Sequence, residues 1–102
     1  YKRQIQVLER HVHRPVAGAT VFALNIRDVA SETDDAEAYA ELARTRGHRI
    51  GLTDRHGLVS HRFREAGGYI LVAVKDGFTP GFDKIKITPL QPVEPENSNT
   101  AN

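Results

Sequence analysis

Ala19-Thr20-Val21-Phe22-Ala23-Leu24-Asn25-Ile26 is the stretch on which the fold turns. Its apolar residues fall into two alternating sets, Val21 and Ala23 on one side and Phe22, Leu24 and Ile26 on the other. A strand that is apolar on both faces has to be covered on both. The expectation is therefore a central strand with further strands over one face and a different element over the other.

The second cover is found just downstream. Ser31 and Thr33 are good N-cap residues, Asp34 and Asp35 suit the positive end of a helix dipole, and residues 34–44 are rich in Ala, Glu and Leu. Ala36, Tyr39, Ala40 and Ala43 recur at helical spacing, and Gly47 is placed to end the run. The spacing predicts one short helix, inserted near residues 33–46, packed on the Phe22, Leu24 and Ile26 face.

Everything else reads as strand and turn. Ile5 and Val7 alternate with Gln4 and Gln6 before the Pro15 to Gly18 turn. Ile50 and Leu52 alternate about Gly51, residues 53–57 make a tight hairpin turn, and Leu58 to Phe63 return with Val59, His61 and Phe63 on one face. Tyr69 to Lys75 is the most strand-like run, with Tyr69 expected to plug the sandwich end while its hydroxyl reaches water or backbone. Ile85 and Ile87 alternate with Lys84 and Lys86, the pattern of an edge strand protected by lysines. Residues 91–102 are polar and proline-bearing and read as a flexible linker or tail, leaving residues 1–90 as one domain.

Composition excludes several functions. Fourteen basic and 13 acidic residues leave a net charge of +1, so nothing electrostatic calls for nucleic acid. Cysteine is absent, which removes disulfides, thiolate metal sites and a Cys nucleophile. No apolar run approaches the roughly 18 residues of a membrane-spanning helix.

At Pro15, Gly18-Ala19-Thr20-Val21, Thr53-Asp54-Arg55-His56-Gly57, Gly68-Tyr69-Ile70-Leu71-Val72 and Gly77-Phe78, in that order, the sequence resembles the carboxypeptidase regulatory-like domains. The resemblance covers about residues 4–88. It implies an all-β, seven-stranded Greek-key, Ig-like (transthyretin-like) sandwich, here with one short inserted helix. The helical segment departs from the short hairpin connection usual in that group. The resemblance implies a fold and not an activity.

His11 and His13 are two apart, so on an extended segment both imidazoles point the same way, and with His61 or Asp54 they would make a zinc or copper site. Two ligands without a third do not make a site, and an exposed turn explains them as well. Glu32, Asp34, Asp35, Glu37 and Glu41 lack the spacing of a calcium loop and suit the start of a helix. Asp54 could pair with His56 or His61 as a base, but no nucleophile elbow is present. Arg44, Arg46, His48, Arg49, Arg55, Arg62 and Arg64 would form a positive strip able to receive an acidic partner or a sulfated glycan.

Two enzyme families have similar sandwich sequences. The 5-hydroxyisourate hydrolases carry a His in the opening strand and a Tyr-Arg-Gly-Ser tetrapeptide, neither of which stands here. The intradiol dioxygenases hold iron with two Tyr and two His, the latter in a later His-x-His that this sequence does not contain after its Tyr69 strand. The expectation is a non-catalytic accessory or interaction module with no cofactor, part of a larger exported, periplasmic or cell-surface protein. Its partners would be other domains of the same polypeptide, or a protein or glycan. The alternatives are a small ligand- or metal-binding domain using His11 and His13, or a fragment related to intradiol dioxygenases.

Overall fold

The computed structural model describes residues 2–10, 12–31 and 33–88. Among them run six strands and one α-helix: β1 (Lys2–Gln6), β2 (Thr20–Asn25), α1 (Ala36–Arg46), β3 (His48–Leu52), β4 (Leu58–Arg62), β5 (Gly67–Val74) and β6 (Gly81–Ile87). All pairings are antiparallel, in a four-stranded sheet of order β3-β2-β5-β6 and a two-stranded sheet of β1 and β4. The linker assigned to residues 91–102 lies outside the described residues.

The two-faced strand has the two covers it requires. Val21 and Ala23 face the small sheet, in a core with Ile5, Phe63, Leu71 and Ile87. Leu24 faces the other way with Ile70 and Val72, and Tyr39, Ala40 and Ala43 of α1 close over them. The helix begins two residues beyond Asp34: Asp35 is the N-cap, its carboxylate accepting from Glu37 N at 3.0 Å, and Gly47 is the C-cap. Thr33 supports that start from one step outside, its hydroxyl accepting from Asp35 N at 3.1 Å.

Six strands stand among the described residues, not seven. Beyond β1 the chain does not go on as a ladder: His13 N donates to Glu9 O at 2.9 Å, closing a turn, and Leu8 and Pro15 form a single bridge.

Two local expectations are also corrected. Residues 54–57 do not close a hairpin within one sheet, because β3 pairs with β2 and β4 with β1. The turn carries the chain from the large sheet to the small one. Ile50 and Leu52, moreover, do not share a face. A bulge between Val21 and Phe22 sets Gly51 opposite Val21 and Arg49 opposite Phe22, so Ile50 is the extra residue. Ile50 packs into the inter-sheet core, whereas Leu52 is 54% exposed. One inserted residue reverses the facing of all that precede it on the strand, so His48, opposite Ala23, is brought to the inner face.

Lys2 pairs with Arg62 and Ile87 with Gly67, and residues 63–66 join those two partners. The outer ends of the first and last strands thus lie at the same end of the sandwich. The opposite end is built from residues 8–10 and 12–18 and the turns at 54–57 and 75–80.

Candidate functional site

Arg46 closes α1, Gly47 caps it, and His48 opens β3 immediately afterwards. On β4, His61 stands opposite Arg3 and on the same face as Val59, which packs against the inter-sheet core. Because β3 and β4 belong to different sheets, these two histidines meet across the end of the sandwich, ring centroids 5.4 Å apart. His61 also rests edge-on against Phe63 at 4.7 Å, and Phe63 lies 4.8 Å from Tyr69. The Tyr69 hydroxyl donates to Glu65 O at 2.8 Å, so the ring plugs the end as its position in the sequence suggests.

This aromatic row walls an open groove of about 750 Å³, lined also by Ala23, Asn25, Asp28, Arg46, Arg62 and Arg64. Three arginines line it against one aspartate. The ion pair present among the described residues, Arg27 to Glu65 at 3.1 Å, is solvent-exposed and leaves those three arginines unpaired. Partial burial, and secondarily the neighbouring His48, holds the His61 pKa below the usual histidine value.

The sequence-derived candidates separate. His11 lies outside the described residues, and His13 is an exposed turn residue with φ 55°. No group of three or more His, Asp or Glu side chains suited to a metal occurs among the described residues. Asp54 is a turn-former: its carboxylate accepts from Leu58 N at 3.0 Å and His56 N at 2.7 Å, which holds its pKa below the usual aspartate value. It is tied to the beginning of β4 while His61 stands near the far end, so no Asp54–His61 pair forms. His56 is exposed and accepts from Arg55 Nε at 3.3 Å. Glu32 lies outside the described residues, and Asp34, Glu37 and Glu41 are exposed beside or on α1.

Of the expected positive strip, Arg46, His48, Arg62 and Arg64 come together in the groove. Arg55 is at the other end, and Arg49, opposite Phe22, faces the helix side of the sheet. His61 is the member that sequence reasoning set apart. The signal for including it is the 54–57 turn, once that turn is read as a crossover between sheets.

A second feature occupies the opposite end. Leu8, Val12 and Phe78 are 41%, 60% and 42% exposed and line one groove of about 560 Å³, backed by Val16 and Pro80. Lys75 spans its side, with Nζ 5.5 Å from the Phe78 ring centroid while donating to Ala17 O. Compared with family models, with curated proteins and with solved structures, the chain matches none.

Proposed function

We propose that this chain is a non-catalytic interaction module of a larger exported or surface-associated protein, docking a protein partner at its Leu8, Val12 and Phe78 end. The observation that carries the reading is the division of the two ends. Lys2 and Ile87, the outer ends of β1 and β6, stand at the end that holds the histidines. At the far end three large apolar side chains stand exposed around one groove. Clustered apolar exposure of this kind marks protein contact surfaces, whereas single exposed apolar residues do not. A Greek-key, Ig-like (transthyretin-like) wiring goes with the proposal, supported by the resemblance to carboxypeptidase regulatory-like domains and by the split into β1-β4 and β3-β2-β5-β6.

A photo-reactive residue at Val12 of the larger protein is expected to yield a protein adduct, and one at Glu41, exposed on α1, is not. Adducts from Glu41 alone would overturn the docking surface. The pure chain is expected to give only background turnover with 5-hydroxyisourate, or with catechols and iron. Saturable turnover that vanished in His61→Gln would make it an enzyme.

A further inference from the structure

The geometry points to a second, separate binding site: we infer that the groove between His48 and His61 seats a phosphate or sulfate group, free or as an ester on a larger ligand, with uptake of a proton. It does not depend on the docking surface, which lies at the other end of the sandwich.

Three parts of the chain converge on the groove. Arg46 comes from the end of α1, His48 from β3, and His61, Arg62 and Arg64 from β4 and the residues after it. Lining one groove with three arginines that make no ion pair and two histidines costs electrostatic repulsion, and an anion in their midst relieves it. Guanidinium forks match the oxygens of a tetrahedral oxyanion two at a time, which a point charge does not. The walls are firm: Phe63 is buried, and Tyr69 packs against it with its hydroxyl tied to Glu65 O. The small side chain of Ala23 leaves room at the floor.

His61 sets the pH at which the site works. Besides His48, the charged groups around His61 are Arg3 opposite it on β1, Arg46 from α1, Arg62 and Arg64 on its own segment, and Asp28 from the 3-10 turn Ile26–Asp28. Without an anion the neutral ring is favoured, because partial burial, and secondarily His48, holds its pKa down. An anion reverses the balance and favours the imidazolium. Binding and protonation therefore strengthen each other, and affinity rises as pH falls below the ordinary histidine range, about 6.5.

The test uses the full chain at constant ionic strength in chloride, titrated with inorganic sulfate and, separately, inorganic phosphate, following the imidazole resonances by NMR. Sulfate does not titrate in this range, whereas phosphate does, so sulfate isolates the protein's own protons. Saturable shifts of His48 and His61 are expected, with sulfate bound about tenfold or more tightly at a pH of about 5.5 than at about 7.5. Saturating sulfate is expected to raise the His61 pKa. His61→Gln should flatten the pH dependence, and Arg46→Gln, at an exposed helix end, should weaken binding at both pH values. Tighter phosphate than sulfate would assign the seat to phosphate esters, and the reverse to sulfate esters. Shifts that never saturate, equal sulfate affinity at both pH values, no effect of Arg46→Gln, or acetate binding more tightly than either oxyanion would each overturn the inference.

Discussion

The hydroxyl of Thr53 donates to the carbonyl of Val16 across 2.6 Å, in a site where Thr53 is only 5% exposed. The same oxygen accepts from Ala19 N at 3.0 Å, and Thr53 N donates to Ala19 O at 2.9 Å. One side chain thus fastens the end of β3 to the turn that feeds β2. Thr53→Val keeps the shape and removes the hydroxyl, leaving a buried acceptor and a buried donor without it. The expected loss is about 1–3 kcal/mol for each group left unsatisfied, read as a lower urea midpoint at unchanged slope. Thr53→Ser, which keeps the oxygen, should recover most of it.

Gly57 is the residue of the 54–57 turn that tolerates least. Its φ is +75°, and a Cβ added there would stand 2.6 Å from Val7 O. Gly57→Ala therefore meets both a conformational cost of about 1–2 kcal/mol and a backbone collision. Gly77, with φ +86° and nothing within 4 Å of its added Cβ, meets the first cost alone. Thermal melts of the two alanine variants should show Gly57→Ala distinctly the worse, and equal melting temperatures would refute the collision.

Helix α1 is held by one large side chain among small ones. Tyr39 is 1% exposed, its ring lies 4.7 Å from that of Phe82, and its hydroxyl accepts from Thr33 N at 3.1 Å. Tyr39→Ala is expected to cost about 3–5 kcal/mol, as for other large aromatic truncations in a core. Ala40→Pro, in the helix interior, should cost about 3 kcal/mol or more. Denaturation curves test both, and a harmless Ala40→Pro would contradict the helix itself.

Stability should fall on acidification in two stages. A histidine whose folded pKa is depressed binds fewer protons folded than unfolded. The His61 contribution is accordingly complete above about 6.5 and is lost as pH falls through its folded value. Asp54, also depressed, contributes above the ordinary aspartate value of 3.8 and loses that contribution below it. His61→Gln should remove the upper stage and leave the lower, as measured by urea midpoints across the acid range. An unchanged upper stage would assign it to another group.

The parts of this fold legible in the sequence are those set by local periodicity. The two faces of β2, the alanine stripe of α1 and the tyrosine at the start of β5 could be read because each pattern is complete within a few residues. The 54–57 turn shows the limit. Its Asp and Gly specify a tight reversal, but whether the next strand joins the same sheet depends on partners far along the chain, as in the pairing of Lys2 with Arg62. The bulge at Ile50 is similarly silent, since Gly51 between two apolar residues looks like ordinary alternation. The His48–His61 contact requires both the crossover and the bulge, so neither histidine's neighbours in sequence announce it.

The shared end of the first and last strands also determines how the domain would answer to force. Tension applied through Lys2 and Ile87 does not draw two long ladders past one another with every bond loaded together. On β1 it acts first at the Lys2–Arg62 pair and can open the ladder toward Gln6–Leu58 one rung at a time. The two-stranded ribbon would yield first, at low load, while α1 and the four-stranded sheet kept their own core. Mechanically the domain is a zipper held at its pull-tab.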